Sequence, residues 1–242
     1  SVARQQVIDS LRTKWENELV KPTEFVSVAS IIHTFQMRNL EHTFMDQGNN
    51  SSFYTNKYWG EDGDIKDITN IMSVRNTIGL AMNEGFRKWV KMGLTFFATH
   101  EYRRYGLPTH LPDTTIQTSE SEHEVLIGAE IRKSQGRTLH YNASGEFCLV
   151  GTNVGDFNIQ AEGDLNFRLG KRDSATLIVR ANIQNQKPTY LLRNYRNTYI
   201  NWNNNDLSRQ FRTGLQGEIK YSRTRTRLRF GWENLTNYTY LA

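Results

Sequence analysis

The dominant pattern along this chain is an alternation of apolar and polar side chains at every second position. From about residue 70 onward, one parity carries Leu, Ile, Val, Phe and Met, and the other carries charged, amide, hydroxyl and glycine residues. The stretch FNIQAEGDLNFRL at 157–169 shows the pattern most clearly. A period of two is the signature of a β-strand with two different faces. The sequence therefore predicts an all-β protein.

The lengths of the alternating stretches and of the connections narrow the architecture. About nine strands of roughly 12–16 residues are predicted, whereas soluble strands are most often about 5–6 residues long and a tilted strand crosses a bilayer with about 9–11. Short connections at 83–85, 134–136, 170–173 and 222–223 alternate with longer ones at about 37–68, 103–120, 151–156 and 186–206. This rhythm is typical of a membrane barrel with tight turns at one rim. We predict a transmembrane up-and-down antiparallel β-barrel, visible in part.

We expect residues 1–242 to form a single β-barrel region. Residues 23–242 would supply the strands and loops, and residues 1–22 an irregular or helical segment, because Val7, Leu11, Trp15 and Leu19 recur at helical spacing. The chain starts without the apolar core of a signal peptide and does not end on an aromatic residue. Single-chain bacterial barrels also have even strand numbers. We therefore expect the sequence to be a portion of a longer barrel.

The same alternation would fit a soluble β-sandwich or another soluble all-β binding domain, in which the apolar parity is a shared core. Long strands and a meander-like rhythm favour the membrane barrel, since sandwiches usually carry Greek-key crossings. Aromatic residues also lie near the predicted strand ends, as interfacial girdles require: Trp89, Tyr102, Tyr141, Tyr221 and Trp232. The apolar parity would then face the lipid bilayer, and the polar parity a water-filled lumen.

An arginine ladder, RTRTRLRF, begins at Arg223 and places a cation at every second position up to Arg229. An arginine that faces lipid at mid-bilayer costs about 2–4 kcal/mol, so the ladder is predicted to face the lumen. A tight turn at 222–223 predicts three cross-strand pairs: Glu218–Arg227, Arg212–Glu233 and Gln216–Arg229.

The polar parity supplies the candidate pore-lining residues. They are Arg225, Arg227, Arg229, Glu218, Arg212, Arg180, Arg168, Asp164 and Glu162. Charged rings of this kind tune the selectivity of a pore for ions and solutes. The same charges could instead pair with one another and fill the lumen, and the sequence leaves both alternatives open. The expected passengers are small polar solutes or ions.

Composition removes several other functions. The net charge of +5 and the pI of 9.3 are compatible with nucleic acid, but the cations alternate along strands with nearly as many acids, so no nucleic-acid partner is expected. One cysteine, Cys148, and six scattered histidines argue against a disulfide framework and a metal site. No nucleophile elbow or phosphate-binding glycine loop is present in the sequence. We therefore expect that the protein is not an enzyme and that it has no catalytic residues and no cofactor.

Three stretches resemble a known family. SVASIIHTFQMRN (27–39), LSRQFRTGLQGEIKY (207–221) and FGWENLTNYTYL (230–241) are similar to segments of the putative porin family of Bacteroidota outer membranes. The resemblance implies a β-barrel pore of the outer membrane, with no catalytic residues to carry over.

The function predicted from the sequence is an outer-membrane porin-like channel for passive diffusion through a charged lumen. The sequence leaves two alternative functions for such a barrel: it could be the barrel of a TonB-dependent nutrient receptor, or a non-transporting scaffold or adhesin. A homo-oligomer is compatible with each of them.

Overall fold

The computed structural model describes residues 28–47, 53–59, 65–85, 91–111, 114–169 and 173–240. The predicted helical segment at 1–22 and the predicted girdle residue Trp89 lie outside these ranges. The long strands are β1 (Ala29–Asp46), β2 (Ile65–Met82), β3 (Gly93–Leu111), β4 (Thr114–Lys133), β5 (Leu139–Gly151), β6 (Phe157–Leu169), β7 (Asp173–Gln186), β10 (Gln210–Tyr221) and β11 (Thr226–Thr236). The connection from β7 to β10 contains a short helix, α1 (Tyr190–Arg193), and two short strands, β8 (Asn194–Arg196) and β9 (Asn201–Asn203).

The long strands form one antiparallel meander. Their order in the sheet is β1-β2-β3-β4-β5-β6-β7-β10-β11, and β8 and β9 form a separate two-stranded ribbon. Within the described residues β1 and β11 each have a partner on one side only, so the sheet is open between them. The predicted all-β class and the up-and-down order of about nine long strands are confirmed.

Two predicted loop boundaries are wrong because the strands run further than the alternation does. β3 continues to Leu111 and β4 begins at Thr114, so the long connection predicted at 103–120 is mostly strand. Gly106 and Pro108, which usually mark loops, interrupt the alternation of β3 there, and β4 begins with the largely polar stretch TTIQTSE (114–120), so the period-two signal is lost. β1 likewise continues to Asp46 and β2 begins at Ile65, so the connection predicted at 37–68 is also too long. The connection predicted at 151–156 agrees with the structure, in which β5 ends at Gly151 and β6 begins at Phe157.

The hairpin that carries the arginine ladder is also shifted from the prediction. Its turn comprises four residues, 222–225, and ends at Arg225, whose φ of 55° lies in the left-handed region. Because the turn is longer by two, the pairing moves by two residues: Glu218 faces Arg229, and Lys220 faces Arg227. Arg212 faces Leu235, and Gln216 faces Gly231. An even shift leaves each side chain on its predicted face.

The two faces of the sheet differ sharply in character. On one, which we call the apolar face, large hydrophobic side chains are exposed: Ile31 is 81% exposed, Ile78 62% and Leu228 61%. This is the reverse of what a soluble sheet does with such residues. The other, which we call the polar face, carries the charged residues of the same strands.

Aromatic rings mark one border of the apolar face. The Tyr102 ring lies 4.7 Å from that of His123, which in turn lies 5.8 Å from His100. From Leu94 to Tyr102, β3 rises roughly 26 Å at about 3.3 Å per residue. Tyr141, near the opposite end of the strands, contacts Met92. The predicted girdle position of Tyr102 therefore coincides with the border between apolar and polar surface.

Neighbouring short turns are tied together by a carboxylate. Glu84, in the turn after β2, accepts hydrogen bonds from the backbone N–H of Ser134 at 2.9 and 3.0 Å and from its hydroxyl. Desolvation acts to raise the pKa of Glu84, but the hydrogen bonds from Ser134 outweigh it, so the pKa lies below its ordinary value.

Replacing Glu84 by glutamine is expected to lower the free energy of unfolding by less than about 1 kcal/mol near neutral pH, because the site is close to solvent. The folded-state pKa is lowered, so the stabilisation is present above the unfolded pKa and is lost as the pH falls through the folded pKa. Denaturant unfolding of both proteins in detergent micelles at pH 7 and at pH 3 measures this. A difference that stays constant over that range would contradict the assignment.

Candidate functional site

The predicted pore-lining residues share the polar face, with one exception. Glu162, Asp164 and Arg168 alternate along β6, and Arg180 faces Glu162 from β7. Arg212 and Glu218 on β10 and Arg227 and Arg229 on β11 continue the same face. Arg225 is the exception, because it lies in the turn and not on a strand.

Glu218 is the centre of the ladder. Its carboxylate accepts a hydrogen bond from Arg229 Nε at 2.9 Å, and it forms ion pairs with Arg227, whose Nε lies 3.0 Å away, and with Lys220, whose Nζ lies 3.4 Å away. The side chain of Glu218 is 3% exposed. Three cations thus surround one buried carboxylate, which leaves a local excess of positive charge.

A cavity of about 1090 Å³ opens on the polar face, near the edge of the sheet where the short turns lie, such as the turn at Ser134. Three predicted residues, Glu162, Asp164 and Arg180, line it. Arg180 Nη2 donates to Glu162 at 2.9 Å, and His140 Nδ1 lies 2.9 Å from Asp164. Its other polar lining residues include Asn142, Ser144, Gln160, Asn182 and Gln216. Such a lining provides donors and acceptors for a hydrated or polar solute.

The remaining predicted residues lie outside this cavity. Arg212 forms an ion pair with Glu233, across a diagonal of the β10–β11 hairpin. Arg168 lies at the end of β6 opposite Ser174 and is exposed. The structure therefore distributes the predicted residues over one wall without gathering them into a single ring.

Sequence reasoning missed a second charged cluster, on β2 to β5. Arg103 donates to Glu101 at 2.7 Å and to Glu124 at 3.0 Å. Arg75 lies 3.5 Å from Glu101 and 3.1 Å from Glu146, so one network spans four strands. Asn153, in the turn after β5, also donates to Glu124.

The segment that connects β7 to β10, residues 187–209, lies on the polar face over β3 and β4. We call it the β7–β10 segment. Arg193 Nη2 donates to Glu122 at 2.7 Å, and Arg193 Nε donates to the carbonyl of Pro188 at 2.9 Å. The Tyr190 ring stacks on that of Tyr105 at 3.9 Å. Arg193 is 3% exposed, so this contact is buried.

Further contacts extend the docking of this segment. The Tyr190 hydroxyl donates to Glu120 at 2.6 Å, and burial and then this hydrogen bond raise the pKa of the hydroxyl, which keeps its proton at neutral pH. Thr198 donates to Asp67 from its backbone N–H at 2.7 Å and from its hydroxyl at 2.8 Å. The Tyr199 hydroxyl donates to Asp46 at 2.9 Å. The β7–β10 segment thus spans β1 to β4.

One signal in the sequence could have pointed to this docking. Glu120, Glu122 and Glu124 occupy alternate positions of one strand and so share a face. Three carboxylates in a row require counter-charges, but a partner 71 residues away, as Arg193 is from Glu122, leaves no periodic trace.

Two features are absent from the residue ranges that the structure describes. No group of three or more His, Cys, Asp or Glu side chains within those ranges is placed to hold a metal ion. None of the helices within them is long and apolar enough to cross a membrane.

Comparison with known families gives a match over most of the sequence, with residues 11–242 aligning to the family described as putative porin. The chain belongs to the putative porin family. The resemblance predicted from its three short stretches is thereby confirmed, and this member of the family has the meander order of a β-barrel wall. No curated protein and no solved structure is detectably similar to the chain.

Proposed function

We propose that this protein is an outer-membrane porin-like channel through which small polar solutes or ions diffuse passively. The observation that carries the proposal is the contrast between the two faces of one sheet. Large apolar side chains are exposed on the face opposite the charged wall, and a lipid environment is the one in which such a face is stable. The charged face then lines water.

Membership of the putative porin family supports a non-enzymatic channel located in the outer membrane. The predicted residues Glu162, Asp164, Arg180 and Arg229 would then contact the passing solution. Their ion pairs with neighbouring strands hold each side chain against the wall, which leaves space for a passage beside them.

The β7–β10 segment specifies where the passage would be narrowest. It covers the polar face of β1 to β4 near the strand ends opposite the short turns, and buried contacts hold it there. A segment fixed inside a barrel reduces the cross-section available to solutes. The same observation supports a second candidate, a scaffold barrel whose lumen the segment blocks.

Conductance of the complete protein in a planar lipid bilayer tests the proposal. We expect stable single-channel current steps, because a polar wall opposite a lipid-facing surface encloses a water-filled path. A heat-denatured sample is the control for detergent artefacts. A protein that inserts, as shown by protease protection of its strands, but carries no current would overturn the channel and favour the scaffold.

A further inference from the structure

Most acidic side chains on the β1–β4 half of the polar face are withdrawn from solvent, although Glu120 is 52% exposed. Five of them lie on β1 to β4 and are at most 7% exposed: Asp46, Asp67, Glu101, Glu122 and Glu124. The β7–β10 segment covers Asp46, Asp67 and Glu122, and Arg103 holds the other two. A solute in the passage therefore meets little of this negative charge.

Cationic side chains of the opposite half of the wall stay accessible. Arg180 and Lys220 are each 41% exposed, Arg212 is 51%, and Arg227 and Arg229 are 55% and 56%. Glu162 and Glu233 are similarly exposed, but each is paired with one of these arginines. At the ladder, the three cations share only Glu218, which is itself buried beneath them. The accessible charge is thus more positive than the number of acids and bases suggests.

We infer that the passage prefers anions, and that its natural solutes are small molecules bearing carboxylate or phosphate groups. The inference rests on the proposed channel and adds the sign of its selectivity. Accessible cations raise the local concentration of anions in a confined aqueous path. Buried acids that are paired with arginines, as Glu101, Glu122 and Glu124 are, contribute far less to the potential in the water, because the guanidinium group cancels most of their charge.

The β7–β10 segment is part of this selectivity. It contacts four carboxylates, of Asp46, Asp67, Glu120 and Glu122, with one arginine at hydrogen-bond distance and three hydroxyl-bearing side chains. Its removal would expose Asp46, Asp67 and Glu122, which are at most 7% exposed in its presence, to the passage. The preference for anions should then weaken or reverse.

The reversal potential of the complete protein in a planar bilayer under a KCl gradient tests the inference. We expect the chloride permeability to exceed the potassium permeability by about twofold or more at about 0.1 M salt, and the ratio to fall toward one at about 1 M, where the Debye length is about 3 Å. A potassium preference with normal current steps would overturn the inference and leave the channel intact. Absence of current would instead overturn the channel itself.

Arg227→Gln is the informative variant, because it removes one exposed cation while Arg229 and Lys220 still pair with Glu218. It should lower the permeability ratio by about twofold at low salt. Arg104→Gln is the matched control: it removes one exposed arginine on the apolar-face parity, beyond the Tyr102 border, and should leave the ratio unchanged. Equal effects of the two variants, or none from Arg227→Gln, would show that the ladder lies outside the passage.

Discussion

Replacing Arg193 by methionine is expected to release the β7–β10 segment from the wall and to increase the single-channel conductance. Arg193 is the cation that neutralises Glu122, and the side chains of both residues are at most 7% exposed. Removing one partner of a buried ion pair typically costs about 3–5 kcal/mol, because the other charge is left without compensation. The segment lies outside the sheet hydrogen bonds, so this cost falls on its docking and not on the barrel strands.

Two measurements distinguish release of the segment from general misfolding. The conductance should rise while the far-ultraviolet circular dichroism spectrum, which reports the strand content, stays unchanged. Trypsin should also cut the variant within residues 187–209 more rapidly than it cuts the native protein. Arg196→Met is the matched control, because Arg196 is 32% exposed and lies 3.9 Å from Glu120, so its removal should cost less than about 1 kcal/mol. An Arg193→Met protein with native conductance and native protease resistance would show that the segment does not narrow the passage.

A second large effect is expected from Gly151→Ala, at the end of β5. Gly151 has a φ of 118°, and a Cβ atom there would lie 2.0 Å from the carbonyl oxygen of His123. The added methyl group must therefore push β4 and β5 apart beside the bulge at Val125 and Leu126. Backbone strain and displacement together should lower the free energy of unfolding by about 3 kcal/mol or more.

Gly136→Ala separates the two contributions to that loss. Gly136 has a similar φ of 112°, but nothing lies within 4 Å of the position a Cβ would take. Its replacement should cost only the backbone strain, about 1–2 kcal/mol. Denaturant unfolding of both variants in the same detergent or lipid provides the comparison. Equal losses at the two glycines would mean that β4 and β5 accommodate the methyl group without displacement.

The faces of the strands were predictable because each side chain records its own environment. Period-two alternation is a local property, and it placed Glu162, Arg180 and Glu218 on a common face without any knowledge of pairing. The register of the last hairpin was not predictable, because it depends on a four-residue turn with a left-handed Arg225, and Ser-Arg-Thr-Arg carries no strong turn signal. The register differs from the prediction by two residues, an even number, so each side chain still lies on its predicted face.

The end of β3 and the start of β4 were predicted incorrectly for a related reason. The connection after β3 was predicted to begin too early, because Gly106 and Pro108 resemble loop residues and the start of β4 is largely polar. The two strands nevertheless pair there through the backbone and through the hydroxyl contact of Thr109 with Thr118. The acids of β4 could have been recognised as a charged row. Their partner could not, because Arg193 comes from a separate part of the chain.

The sequence by itself determined the class of fold, the division into an apolar and a polar face, and the family, because all three depend on side-chain order along single strands. The tertiary structure alone decided which charges are accessible. The sequence pattern does not distinguish Glu122 from Arg227, because each is a charged residue on the polar parity. In the structure Glu122 is buried under the β7–β10 segment, whereas Arg227 is exposed on β11. Burial depends on what packs against a residue from elsewhere in the chain, and that information appears only once the segments are brought together in space.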